Sequence, residues 1–238
     1  MEENENKTTF NVNAEDVKKE TEETVNQVKD TIKNVDLKND SKEAKGFFFS
    51  FFKNPLGEIK KSASSVDNKF VKIAIIIFVV WIAILLISNI LSMATTYLFG
   101  PLGNFAYFFQ NLFHNMFLLV KTLVAPIITI LVLSGLVYGF KKVKNRSFLT
   151  IISTILIAKI PIVIANAFNL LVLVNSHFTK ITSAFSGFCN VLSTVLLFFA
   201  VKNLLEEDKN DSYFWKFALI IGIFYIVKFV CSYLGIYL

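Results

Sequence analysis

Hydrophobic residues after residue 70 are grouped into five long runs that alternate with short polar stretches. The runs cover approximately residues 71–93, 116–140, 148–174, 181–201 and 214–237. A helix of about twenty apolar residues spans the roughly 30 Å hydrocarbon layer of a membrane. The pattern therefore predicts an all-α integral membrane protein with five transmembrane helices. The third run contains Pro161, so its helix is expected to tilt or kink.

Charged residues are sparse and unevenly placed along the chain. They make up 18% of the residues, whereas ordinary soluble domains have roughly 25%, and 54% of the residues are hydrophobic. Between Asp67 and Glu206 the sequence contains no Asp or Glu. This absence excludes a cation channel with an acidic filter, and a proton relay built on carboxylates, from the predicted spans.

Basic residues cluster in the loops on one side of the predicted membrane. The loops after the second and fourth spans contain Lys141, Lys142, Lys144, Arg146, Lys202, Lys209 and Lys216. The loops on the other side contain Lys180 alone. Because Lys and Arg accumulate in cytoplasmic loops, a cytoplasmic N-terminus and an external C-terminus are predicted. The net charge of +6 is explained by this orientation, so no nucleic-acid partner is predicted.

Residues 1–45 form a polar region that differs from the rest of the chain. They are rich in Glu, Lys, Asn and Thr, and such a composition buries too little apolar surface to fold alone. Val25, Val28, Ile32 and Val35 recur at helical spacing within this region. We interpret it as a cytoplasmic tail, either mostly disordered with a transient helix or containing a helix that binds a protein partner.

Residues 46–70 join this tail to the first span and contain an aromatic cluster. The residues of this candidate docking segment are Phe47, Phe48, Phe49, Phe51, Phe52, Lys53, Asn54 and Pro55. Gly46 is expected to end any preceding helix, and Pro55 disfavours helix at Asn54. Aromatic and basic residues together suit the headgroup region of a membrane. The segment is therefore predicted to lie in the cytoplasmic interface or, alternatively, to pack against the cytoplasmic ends of the spans.

Three lysines lie within the predicted spans more than three residues from either end, where ionisable residues are costly and often functional. Lys121 is close to the outer end of the second span and is expected to extend its ammonium group to the interface. Lys159 and Lys228 each lie thirteen residues beyond an inner-edge residue, Arg146 and Trp215 respectively. At 1.5 Å per residue both are roughly 20 Å deep, just past the midplane of the membrane.

Two lysines at one depth without a nearby carboxylate allow three arrangements. The side chains extend to the outer interface, they lose their protons on burial, or an anion binds between them. Polar residues on the neighbouring helix faces would complete such a site. The candidate residues for binding an anionic lipid or a small anion are Lys159, Lys228, Asn166, Asn169 and Asn190.

The sequence contains no recognisable catalytic motif. GxSxG, HExxH and Walker-type sequences are absent, and His114 and His177 are the only histidines. The two cysteines, Cys189 and Cys231, both lie within predicted spans, which leaves no Cys-rich metal site. We therefore predict a protein that is not an enzyme and that requires neither a metal nor a cofactor.

The sequence FFKNPL at residues 51–56 precedes the first of the five predicted spans and follows a charged tail. This arrangement resembles the Yip family, named for interaction with Ypt/Rab GTPases, over about residues 47–238. The resemblance implies a non-enzymatic membrane organiser or partner-binding adaptor. Heavy use of Phe, Ile, Lys and Asn is typical of an AT-rich bacterial genome, which predicts a bacterial plasma membrane. The alternative hypothesis is a carrier or binding protein for an anionic lipid or small anion.

Overall fold

A computed structural model of the chain describes residues 36–65, 68–97, 112–140, 147–205 and 212–233, with scattered positions between residues 19 and 33. Within these ranges the secondary structure is helical and no strand occurs, which confirms the predicted all-α class. The α-helices are α1 (Leu37–Lys53), α2 (Pro55–Ser64), α3 (Asn68–Tyr97), α4 (Leu112–Gly139), α5 (Phe148–Ala158), α6 (Ile160–Val174), α7 (Thr179–Leu205) and α8 (Ser212–Tyr233). A short 3₁₀ helix, Ser176–Phe178, joins α6 to α7.

Four helices, α3, α4, α7 and α8, are each long and apolar enough to cross a membrane. Helices α5 and α6 meet the same criterion as a pair that is bent by 45°. The chain therefore has four candidate spans, or five if the bent pair counts as one. The bend lies where Pro161 was expected to disturb the third span. Residues 234–237 of the predicted fifth span, and most of the predicted tail, lie outside the described residues.

Helix α5 lies at the centre of the helix bundle. It packs against α2, α3, α4 and α7, and nine of its eleven residues are buried. Ile151, Ile155 and Ile157 are completely inaccessible to solvent. A helix that is apolar on all sides is stable only when other helices surround it. Helix α8 is the opposite case. Only 11% of its most apolar stretch is buried in the bundle, compared with 33% for α7.

The aromatic cluster before the first span belongs to α1, which packs one face on the bundle. Phe47 and Phe51 are 6% and 3% exposed, whereas Phe49 and Phe52 are each 63% exposed. One face of the segment therefore packs on the bundle, as the second predicted arrangement requires, and the other face is exposed. The expectation that Gly46 ends a helix was wrong. Helix α1 continues through it, because packing of the aromatic face outweighs the roughly 1 kcal/mol cost of an internal glycine.

Polar contacts fix α1 and α2 to the bundle. The ammonium group of Lys72 on α3 lies 3.4 Å from a carboxylate oxygen of Asp40 on α1. The hydroxyl groups of Ser62 on α2 and Thr154 on α5 are hydrogen-bonded at 3.0 Å in the buried interior. Residues 37–64 are thus part of the folded bundle, and the predicted boundary of the tail at residue 45 falls inside a helix.

A capped turn at Asn54 and Pro55 separates α1 from α2, as the sequence predicts. The side-chain oxygen of Asn54 accepts a hydrogen bond from the N–H of Gly57 at 2.9 Å, and Pro55 occupies the first position of α2. Both features are favourable at the start of a helix. A Cβ atom added to Gly57 would lie 2.7 Å from Cγ of Asn54, so the cap requires glycine at this position.

Replacement of Gly57 by Ala is expected to be less favourable than replacement of Gly46 by Ala. Nothing lies within 4 Å of a Cβ added at Gly46, so Gly46→Ala should raise the free energy of unfolding by about 0.5–1 kcal/mol. In Gly57→Ala the same gain is offset by loss of the Asn54 cap, worth roughly 0.5–2 kcal/mol. Thermal unfolding of the two variants in detergent measures the difference.

The Asn54→Ala background provides the control for this comparison. Without the cap, Gly57→Ala should stabilise the protein by about as much as Gly46→Ala does. A Gly57→Ala substitution that still destabilises the Asn54→Ala protein would show that the cap is not the reason.

Candidate functional site

The bend between α5 and α6 follows from the sequence around Pro161. Proline has no N–H group and cannot continue the hydrogen-bond ladder of a helix. Next to it, the N–H of Ile162 bonds the carbonyl of Lys159 at 2.9 Å instead of the carbonyl of Ala158. The hydroxyl of Ser193 on α7 donates to this released Ala158 carbonyl at 3.0 Å. A neighbouring helix therefore satisfies the backbone at the break.

The break places Lys159 in the wall of a cavity of about 740 Å³. Helices α3, α4, α6, α7 and α8 all contribute residues to this wall, which we call the lysine cavity. Its polar lining residues, apart from Trp81, are Lys121, Thr122, Thr129, Lys159, Asn166, Asn190, Thr194, Tyr225 and Lys228. The cavity thus collects polar side chains from helices that are distant in sequence.

Four of the five predicted anion-binding residues meet in this cavity, namely Lys159, Lys228, Asn166 and Asn190. The fifth residue, Asn169, is not among the lining residues. Its side-chain oxygen accepts a hydrogen bond from the hydroxyl of Ser186 at 3.1 Å, so it links α6 to α7.

Lys121 also lines the lysine cavity, although the sequence analysis assigned it to the outer interface. Helix α4 begins at Leu112, so Lys121 lies nine residues inside the helix. Its ammonium group is 4.1 Å from the ring centroid of Phe117, which is a favourable cation–π distance. A depth for Lys121 counted from the outer end of α4 would have been similar to the depth predicted for Lys159 and Lys228.

Trp81 on α3 is a second lining residue that the sequence did not indicate. It is 5% exposed, and its indole N–H has no hydrogen-bond partner within the described part of the chain. A buried donor without an acceptor is unfavourable by roughly 1–3 kcal/mol. No polar residue near Trp81 in sequence signals this position, because its polar neighbours come from other helices.

The lysine cavity has an excess of positive charge and of hydrogen-bond donors. Lys159 is only 8% exposed, and its ammonium group forms no ion pair or hydrogen bond with any described residue. None of the described lining residues is Asp or Glu. Because an isolated charge in an apolar interior is costly, such a site requires either loss of the proton or a ligand that supplies negative charge and acceptor atoms.

Metal binding has no comparable support in the residues that the structure describes. No group of three or more His, Cys, Asp or Glu residues among them is arranged to hold a metal ion. Cys189 is buried within α7 and Cys231 is partly buried within α8, and both are free thiols. The lysine cavity is therefore the candidate functional site.

Comparison of the chain with protein-family models, with curated proteins and with solved structures finds no match in any of the three. The resemblance to the Yip family stays a prediction that rests on residues 51–56 and on the predicted number of spans. The geometry and charge of the lysine cavity are therefore the basis for proposing a function for this chain.

Replacement of Ser193 by Ala is expected to lower the free energy of unfolding by about 1–3 kcal/mol, because it leaves the buried Ala158 carbonyl without a donor. Ser153→Ala is the matched control. Ser153 is also buried, but its hydroxyl bonds a carbonyl of its own helix, that of Thr150, which the helix ladder can already satisfy. Denaturant unfolding in micelles, followed by circular dichroism, measures both changes. Equal destabilisation by the two substitutions would argue against a special role for Ser193.

Proposed function

We propose that this chain is an integral membrane protein with five spans whose interior cavity binds an anionic ligand, in a carrier or binding role. One observation carries the proposal: Lys121, Lys159 and Lys228 line a single cavity in which none of the described lining residues is a carboxylate. The geometry thus favours the second of the two hypotheses drawn from the sequence.

Exposed apolar side chains on the long helices support placement in a membrane. Val79 on α3, Phe113 on α4, Val191 on α7 and Ile226 on α8 are 59%, 88%, 66% and 65% exposed. Apolar surfaces of this extent are unfavourable in water and are typical of membrane or protein contacts. Counted as one span, the bent pair α5–α6 brings the number of spans to five. The basic loops support a cytoplasmic N-terminus, and we propose the plasma membrane of a bacterium as the location.

An anion bound in the lysine cavity would offset the free-energy cost of placing charged lysines inside the membrane. Insertion measurements give about 2.5–3.5 kcal/mol for one lysine at the centre of a membrane helix. A bound anion offsets this cost by direct attraction, which is strong where water is excluded. The volume of about 740 Å³ lies within the range of about 300–1,000 Å³ that is usual for small-molecule sites.

The double substitution Lys159→Leu/Lys228→Leu should abolish retention of the anionic ligand, because it removes two of the three positive charges from the cavity. Native mass spectrometry of protein extracted from its own membrane measures the bound mass. The matched control is Lys180→Leu/Lys202→Leu, since both of these lysines are exposed and neither lines the cavity. An anionic species retained equally by all three proteins would contradict the proposal.

A second candidate function is that of a membrane organiser that docks a partner on α1. The observation in its favour is the exposed aromatic pair Phe49 and Phe52, each 63% exposed, beside the basic Lys53. Aromatic residues are enriched at protein interfaces. This function corresponds to the role that the Yip resemblance implies.

The substitution Phe49→Ser/Phe52→Ser should reduce co-purification of a membrane partner without unfolding the protein, because both side chains are already exposed. Quantitative mass spectrometry of crosslinked, affinity-purified samples provides the measurement. Phe214→Ser serves as a control, since Phe214 on α8 is similarly exposed at 59%. Deletion of residues 1–35, which leaves α1 intact, tests the tail separately. If neither change alters the co-purified proteins, the organiser function is wrong.

A further inference from the structure

The lysine cavity reaches the protein surface between helices α7 and α8. Asn190 and Thr194 line it from α7, and Tyr225 and Lys228 line it from α8. All four residues are also exposed. A residue that both lines a cavity and is exposed lies near an opening, so these four define a mouth between the two helices. Leu118 on α4 meets the same condition, at 41% exposed, so the cavity also opens beside α4.

Aromatic contacts join α7 and α8 at their ends nearest residues 206–211. The ring centroid of Phe198 on α7 lies 5.1 Å from that of Tyr213 and 5.0 Å from that of Phe217, both on α8. The hydroxyl of Tyr213 also donates to the carbonyl of Phe198. These contacts close one end of the cleft between the helices and leave the mouth toward the opposite end.

The surface around the mouth is apolar. Val191 and Val195 on α7 are 66% and 45% exposed, and Ile226 and Phe229 on α8 are each 65% exposed. In the membrane arrangement proposed above, such a surface faces lipid chains rather than water. A hydrated inorganic ion would have to cross hydrocarbon to enter here, whereas an amphiphile already present in the bilayer would not.

The lining of the cavity also has two chemical parts. The lysines and the unpartnered indole N–H of Trp81 provide donors for an acidic group. The hydrocarbon part of the lining comes from Leu85, Leu118, Ile162, Leu197, Ile221 and Phe224. Lys159 additionally lies at the N-terminal end of the fifteen-residue helix α6, where the helix dipole contributes positive potential. Broken helices of membrane carriers present such ends to anionic groups.

We infer that the ligand of the lysine cavity is an anionic membrane lipid. Its acidic headgroup lies among Lys121, Lys159 and Lys228, and its acyl chains leave sideways through the mouth between α7 and α8. This inference rests on the proposed anion-binding function and narrows it in two respects: the ligand is an amphiphile, and the route of entry is lateral.

Reconstitution of the full-length protein into vesicles of phosphatidylcholine with a minor fraction of phosphatidylglycerol tests the inference. After extraction into neutral detergent, native mass spectrometry counts the phosphatidylglycerol retained per protein. Lys159→Gln/Lys228→Gln should reduce retention at least about tenfold, because the headgroup loses its charged partners. Thr194→Phe should also reduce it, since a bulky ring narrows the mouth without changing the charge. Val79→Phe is the matched control, because Val79 on α3 is also exposed, at 59%, and lies outside both the cavity lining and the mouth.

Thermal unfolding with inorganic phosphate as the probe separates the possible failures. If no phosphatidylglycerol is retained, but phosphate raises the unfolding temperature of the wild type and not of the lysine variant, the lipid inference is overturned and anion binding stands. If neither probe binds, both proposals fail. Equal retention of phosphatidylglycerol by all variants places the lipid elsewhere and also overturns the inference. If Lys159→Gln does not fold, Lys228→Gln alone provides the test, since Lys228 is exposed.

Discussion

The break in the helix ladder at Pro161 is the constraint on which the lysine cavity depends. Proline alone does not end a helix in this protein, since α4 continues through Pro126; at Pro161 the chain bends by 45° between α5 and α6, and Lys159 lies at the break. A continuous α-helix would pair the carbonyl of Ala158 with the N–H of Ile162. Instead, one carbonyl is released and bonds Ser193. The same local feature therefore bends the central helix, ties it to α7 and sets the position of a buried ammonium group.

Helix α5 connects this break to the N-terminal segment of the chain. Its first turns pack against α2, where Thr154 bonds Ser62, and its last residue is the one whose carbonyl meets Ser193. The aromatic face of α1 adds Phe47 and Phe51 to the same core. The segment before the first span is therefore a structural layer of the bundle, while its outer face remains available for contact with other molecules.

The apolar runs and the break near Pro161 could be predicted from the sequence, because each depends on local composition. The convergence of Lys121 and Trp81 on the same cavity could not, since it depends on which helices are neighbours. Asn169 shows the same limit. Helical spacing places it loosely on the face of Asn166, but contact with Ser186 directs its side chain to α7. Gly46 was misjudged because tertiary packing outweighed its local preference.

The bond from Ser193 to Ala158 has a consequence for motion in the bundle. Helix α7 carries both Ser193 and one wall of the mouth, so displacing α7 outward would break a buried hydrogen bond at the centre of the protein. Helix α8 has little buried surface, and its aromatic contacts with α7 lie at one end, around Phe198. Of the two walls of the mouth, α7 is therefore held to the centre of the bundle by a buried hydrogen bond, whereas α8 has the smaller buried surface and the fewer constraints on its position.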